Sequence, residues 1–232
     1  MFRSSGSRAA RSPSSPITYA EADTPRGRFI TLEGGEGAGK TTQARLLADA
    51  LTARGLQVLQ TREPGGAPGA EVLRTLLLSA DVAFSPRAET LLHFAARAEH
   101  VDRTIRPALS AGTWVVCDRF ADSTMAYQGW GLGADHATIA ALTAMVGLVP
   151  DATIVLAISP AVARARLLAR GGAADRYERL DAGFHARVAD GFRAIAAAEP
   201  ARCALVSADG DPASVHAAIL RVPRLASLLD AA

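Results

Sequence analysis

The chain carries GGEGAGKTT at residues 34–42. Gly34, Gly39, Lys40 and Thr41 fit the pattern G-x-x-x-x-G-K-[ST], which cradles the phosphates of a nucleoside triphosphate. Glycines let successive backbone N–H groups turn inward, and the helix that opens at the lysine adds its positive dipole end. Lys40 is expected to reach the β- and γ-phosphates, and Thr41 to hold Mg²⁺ through its hydroxyl. Gly35, Glu36, Gly37, Ala38 and Thr42 complete the ATP-binding stretch. Glu36 is the odd member, because a carboxylate beside a triphosphate is repulsive. It is expected to face a second ligand instead.

Three further polar clusters sit beside apolar runs: TREPGG (61–66), LLHFAARAEH (91–100) and DRFADSTMAYQG (118–129). His93 and Arg97 are four apart, so on a helix they share a face about 5.4 Å from each other. An arginine gripping phosphate, with a flat ring one turn away, suits a nucleoside monophosphate. Taken alone, the pair reads equally as a solvated or core-facing stripe. Ser123 and Tyr127 have the same spacing if their segment is helical. Asp118-Arg119 ends an apolar run, where a carboxylate can join Mg²⁺ through water and a guanidinium can fork a phosphate; a structural ion pair is the competing reading.

These residues need a scaffold, and strand and helix patterns alternate along the chain. Strands are expected at 27–34, 56–64, 113–120, 151–159 and 203–208. Helices are expected at 40–54, 70–79, 86–110, 135–147, 160–170, 177–198 and from 212 onward. Apolar strands separated by helices mean a five-stranded parallel sheet with helices on both faces, an α/β P-loop NTPase fold. Such sheets bind ligands at the carboxyl ends of their strands.

Residues 1–26 are rich in Ser, Arg, Pro and Ala without hydrophobic periodicity, and are expected to form a disordered tail. Arginines without acid before Glu21 are shared with organelle transit peptides, but a solvated extension is the simpler reading. Residues 27–232 then form one domain. A formal net charge of +2 over 232 residues gives no general argument for nucleic-acid or membrane partners. The longest apolar runs fall far short of the roughly 20 residues needed to span a bilayer. Cys117 and Cys203 match no metal-ligand spacing and read as buried strand residues in a reducing compartment, which points to the cytoplasm.

FITLEGGEGAGKTTQARLLADAL, TREPGG, the LL-x-x-A-A-R helix, DRF-x-x-S-T-x-A-Y-Q-G and a later DRYE together resemble the thymidylate kinases of the bacterial type. The resemblance spans nearly everything after the tail. It implies transfer of the ATP γ-phosphoryl to dTMP, giving dTDP, by a homodimeric, Mg²⁺-dependent enzyme of dTTP biosynthesis. It further implies that Glu36 hydrogen-bonds the acceptor's sugar 3′-hydroxyl and that Arg97 and Arg119 hold the dTMP phosphate. Ser123 and Gln128 would lie near the base, and Tyr127 would crowd the sugar 2′ position. Arg62, Glu63, Pro64 and His93 complete the implied dTMP site, and Thr41 and Asp118 the metal site.

Residues 164–179 hold five arginines around Gly171-Gly172, and we expect a hinged lid over the ATP phosphates. The competing reading is a solvated basic helix end. In the bacterial subgroup a lid arginine is catalytic, here Arg170 or Arg176, beside Lys40 and Arg119. Two positions depart from the family pattern. His93 stands where a stacking Phe is usual, with Phe94 one residue later and turned about 100° away; Ala157 stands where an acid is common. Rival readings are another small P-loop kinase, for cytidylate, a deoxynucleoside or a small metabolite, and a nucleotide-dependent switch without turnover.

Overall fold

Apolar residues on both faces of the strands put the sheet in the middle of the molecule. The computed structural model describes residues 26–79, 82–171 and 176–232; the expected tail up to residue 25 and Gly172 lie outside them. Five parallel strands are present: β1 (Phe29–Gly34), β2 (Val58–Arg62), β3 (Trp114–Asp118), β4 (Ala152–Ala157) and β5 (Cys203–Ser207). Their order is β2-β3-β1-β4-β5. The central strand β1 is wholly buried, and Leu32 pairs in register with Asp118 on one side and Ile154 on the other. The phosphate loop therefore leaves the sheet beside the end of β3. Cys117 and Cys203 are both free and buried, separated by β1 and β4.

Helices cover both faces. On one, Leu47 and Leu51 of α1 (Lys40–Thr52), Val215 and Ile219 of α9 (Pro212–Leu220) and Leu225 and Leu228 of α10 (Pro223–Asp230) pack on Ile30, Leu32, Val116 and Ile154. On the other, Val101, Ile105 and Leu109 pack against Phe29, Val115 and Phe120. Phe184, Val188 and Phe192 of α8 (Ala182–Ala198) pack on Val155 and Tyr127 there. The remaining α-helices are α2 (Pro68–Leu78), α3 (Pro86–His100), α4 (Arg106–Ser110), α5 (Ala121–Thr124), α6 (His136–Val146) and α7 (Pro160–Arg170).

Several boundaries differ from the pattern-based expectation. The helix expected over 86–110 is interrupted by a π-helical turn at Val101–Ile105, where the Arg106 N–H reaches back to the Val101 carbonyl. Pro107 explains it: proline has no N–H to give Arg103, and its ring clashes with that carbonyl in α geometry. The helix expected from 177 begins at Ala182, because Asp181 caps it by accepting from the Phe184 N–H at 2.7 Å. The last helix is two, broken at Pro223. The segment after β3 is one α-turn followed by a π-helical stretch, Met125–Gly131.

Candidate active site

A cavity of about 460 Å³ opens at the carboxyl ends of β1, β2 and β3, lined by the phosphate loop, the β2–α2 turn, α3, the segment after β3 and α7. The loop closes tightly on the sheet at Gly34. Its φ is 137°, and a Cβ there would lie 2.5 Å from the Leu156 carbonyl oxygen, so only glycine fits. Gly39, at φ 85°, turns the chain into α1. Lys40 is buried and donates to the Gly35 carbonyl at 2.7 Å, holding the loop's own curve. Burial and Arg119 pull its pKa down to about 8, against the raising effect of Glu36, Asp118 and Glu33.

The Thr41 hydroxyl donates to Asp118 Oδ2, while Asp118 Oδ1 is buried with no hydrogen-bond partner. Two hard oxygens at a phosphate loop, one with nothing to satisfy it, match the donor chemistry that Mg²⁺ requires.

The Glu36 carboxylate is held by two donors of the site. Its Oε1 accepts from Arg119 Nη2 at 2.6 Å and from the Tyr127 hydroxyl at 2.7 Å. Burial pushes the Glu36 carboxyl up, but Arg119, Lys40 and the Tyr127 hydrogen bond outweigh it and bring it to about 2. Arg119 is therefore the hub of the site. Its Nη1 reaches the Gly34 carbonyl at 3.0 Å and the Ser123 hydroxyl at 3.2 Å, and its guanidinium lies 4.9 Å from the Tyr127 ring centroid. Burial alone would lower its pKa, yet Glu36, Tyr127, Asp118 and Glu33 raise it above the ordinary arginine range. The backbone at Arg119 takes φ 71°, the single positive value at a non-glycine among the described residues.

The i, i+4 expectation for Ser123 and Tyr127 holds in outcome, since both hydroxyls meet Arg119. Ser123 also donates to Glu33 Oε2 at 2.6 Å, so its hydroxyl is engaged on both sides between Glu33 and Arg119. Glu33 was not visible as a site residue in the sequence. It is fully buried, accepts from the Phe120 N–H at 2.8 Å, and is pushed up to about 7 by burial and by Asp122.

Arg97 is 2% exposed. Its Nε donates to Glu63 Oε2 at 2.8 Å, and its Nη2 to the Phe120 carbonyl and the Thr124 hydroxyl, each at 3.0 Å. Its Nη1 is buried and has no partner. Glu63, which lines the cavity, pairs its other oxygen with His100 Nδ1 at 3.1 Å and so orients Arg97. Phe94 lies beneath the Arg97 guanidinium at 4.8 Å, away from the cavity, and His93 lines the cavity in its place. Burial, Arg97, Arg119 and Arg176 pull His93 down to about 3, so the ring is neutral.

Arg62 and Pro64 line the cavity, with Arg62 paired to Glu71 at 3.0 Å. Arg74, which the sequence did not single out, joins them and donates to the Pro64 carbonyl at 2.6 Å. Gln128 also lines the cavity. Of the two candidate lid arginines, Arg170 lines the cavity and pairs with Glu178. Arg176 lies outside the lining, paired with the buried Glu89. A third arginine, Arg166 of α7, lines the cavity and donates to the Gly210 carbonyl at 2.7 Å.

The sequence model for "Thymidylate kinase" matches residues 32–219. The thymidylate kinase of Gluconobacter oxydans is 54% identical over 200 residues, covering 84% of this chain and 94% of the relative. That of Rhizorhabdus wittichii is 54% identical over 208 residues, covering 88% of this chain and 99% of the relative. The crystal structure of thymidylate kinase from Ehrlichia chaffeensis superposes with a TM-score of 0.70 at 37% identity, covering 85% of this chain and 98% of that one. A match over most of the chain, at half-identity and with one shared fold, places it: this chain belongs to the thymidylate kinase family.

Proposed function

We propose that the cavity is where ATP and dTMP meet, and that the enzyme transfers the ATP γ-phosphoryl group to the dTMP phosphate, giving dTDP for dTTP synthesis. The observation that carries this reading is Arg97: a guanidinium buried to 2% exposure, with Nη1 unpartnered, on a cavity that also holds the phosphate-loop lysine. Buried donors are satisfied in folded proteins, so a vacant one marks the place of an anion.

The roles of the residues follow from chemistry. The loop amides and Lys40 bind and orient the ATP phosphates, with Lys40 leaving the Gly35 carbonyl for them. Thr41 and Asp118 would hold Mg²⁺, which when bound neutralises charge on the phosphate oxygens. Arg97 and Arg119 fix the acceptor phosphate in line. Glu36, kept ionised by Arg119, aligns the acceptor through its sugar hydroxyl, and Tyr127 beside it limits room at the 2′ position. Arg170, which lines the cavity, is the arginine that reaches the transferring group, while Arg176 anchors the segment through Glu89. The acceptor oxygen is anionic near neutral pH, so no general base is required. Positioning and charge neutralisation supply the acceleration.

A homodimer and a cytoplasmic location belong to the same proposal. Exposed Val72 and Leu76 on α2 and Leu91 on α3 form an apolar surface suited to a second copy, and the two free buried thiols accord with a reducing compartment. No described helix is long and apolar enough to cross a membrane.

The test is ADP formation from Mg-ATP with dTMP, dUMP, UMP, CMP or no acceptor, in wild type and Lys40→Ala. Strong dTMP-dependent turnover, lost in Lys40→Ala, is expected. Hydrolysis indifferent to the acceptor would overturn the reading.

A further inference from the structure

Glu89, in the first turn of α3, has 0% exposure and enters the mechanism above only as the anchor of Arg176. Its Oε1 accepts from the Tyr177 hydroxyl at 2.7 Å and from Gln128 Nε2 at 2.9 Å. Its Oε2 lies 2.5 Å from Arg176 Nη2, an ion pair whose approach is too oblique to count as a directed hydrogen bond. Tyr177, Gln128 and His93 all line the cavity.

An ionised carboxylate only accepts, and that forces every proton around it. Tyr177 gives Glu89 its one hydroxyl proton, so its oxygen can only accept. Gln128 Nε2 lies 3.0 Å from that oxygen and 2.9 Å from Glu89 Oε1, and because these two acceptors stand only 2.7 Å apart they share one N–H of the amide. The Gln128 amide therefore cannot flip without setting its oxygen against Glu89. His93 Nε2, 3.0 Å from the same phenol oxygen, must carry the proton, which leaves a lone pair on Nδ1. One carboxylate thus sets three side chains so that Gln128 presents its amide oxygen, and His93 a lone pair, away from the cluster.

We propose that Glu89, held as an acceptor by Arg176, is a positioning residue for base selection: it fixes the base end of the acceptor site as a hydrogen-bond acceptor and thereby selects 2,4-dioxopyrimidines over cytosine. Thymine and uracil carry an N3–H donor; cytosine has a lone pair at N3, which would face another lone pair. A site built to receive a donor rejects an analogue lacking it more strongly than shape alone can. The inference rests on the assignment of this cavity end to the acceptor base.

The experiment is kcat/KM for dTMP and dCMP in wild type, Glu89→Gln and Tyr177→Phe, with ATP affinity and thermal stability recorded alongside. A glutamine at 89 can offer oxygen or NH₂, so Gln128 is released to present either face. The dTMP-to-dCMP ratio is expected to fall by roughly tenfold or more in Glu89→Gln, the worth of one misdirected buried hydrogen bond. A smaller fall in the same direction is expected in Tyr177→Phe, with ATP affinity unchanged. Tyr177→Phe removes the proton link while keeping the carboxylate at 89 and its Arg176 and Gln128 contacts, and so decides the matter if Glu89→Gln does not fold. Equal losses on both acceptors, with the ratio intact, would show a packing role and overturn the inference alone. A wild type that does not prefer dTMP would overturn the acceptor-site assignment together with it.

Discussion

The two walls of the cavity are built differently. The wall formed by the ends of β1 and β3 and by α3 is buried and cross-braced: Glu36, Arg119, Tyr127, Ser123 and Glu33 form one continuous network, and Glu63 locks Arg97 against His100. The wall formed by α7 is held by partly exposed contacts, and the segment beyond it is anchored on the buried Glu89 by Arg176 and Tyr177. The Arg170 side chain is 56% exposed and pairs with Glu178, and Arg166 grips main-chain carbonyls. Exposed ion pairs contribute about 0–1 kcal/mol, whereas breaking a buried one costs about 3–5 kcal/mol. The acceptor side is thus pre-organised, and the side over the ATP phosphates exchanges its partners at little cost. A phosphoryl-transfer enzyme needs that division, because alignment must be ready before binding and closure must be reversible afterwards.

If that contrast is right, activity and stability should separate between the walls. The largest effect is expected for Arg170→Ala: a fall in kcat of about 10³–10⁵, the range for an arginine that stabilises transferring phosphoryl charge. Thermal stability should stay close to wild type. Steady-state kinetics with parallel calorimetry checks both, and a large loss of stability would place Arg170 with the braced wall.

Next comes Arg119→Ala, where both quantities should fall together. Loss of a pre-organised donor costs roughly 10²–10³ in kcat. The stranded Glu36 carboxylate should lower the melting temperature as well. Arg119→Ala with normal stability would break the comparison.

A smaller effect concerns protons. Lys40 titrates at about 8 in the free protein, below the ordinary 10.5. Bound phosphate favours its charged form, so ATP binding should take up protons above that pKa and almost none well below it. Calorimetry in buffers of different ionisation enthalpy at about pH 8.5 and about pH 7 measures the uptake. Lys40→Ala should abolish it. The smallest change is expected for Tyr127→Phe. Losing the hydroxyl's bonds to Glu36 and Arg119 should cost about 1 kcal/mol, seen as a severalfold loss of preference for dTMP over its ribonucleotide counterpart.

The sequence was most legible where function is local. The phosphate loop, Arg97, Arg119 and Tyr127 announce themselves through spacing within one segment, and the five strands through apolar runs between glycine-rich turns. Glu33 and Glu89 gave no such signal, because each acts on a residue far away in the chain. Glu33 meets Ser123, and Glu89 meets Tyr177, only after the sheet is assembled. The π-helical turn at Val101–Ile105 was hidden for another reason: over a single turn, periods of 3.6 and 4.4 residues place side chains almost alike. Pro107 was the available clue there, and Asp181 was the clue to where α8 starts.

Arg119 also bears on how the protein tolerates change. At φ 71° an L side chain is strained by about 1–2 kcal/mol, and glycine is not. The backbone therefore asks for one residue and the chemistry for another. Among substitutions at this position Arg119→Gly should be better folded than Arg119→Ala, yet equally inactive. Among the replacements, a selection scoring abundance would then rank glycine above alanine, where a selection scoring growth rejects both. Disagreement between two such screens is a way to find a working residue without any substrate in hand.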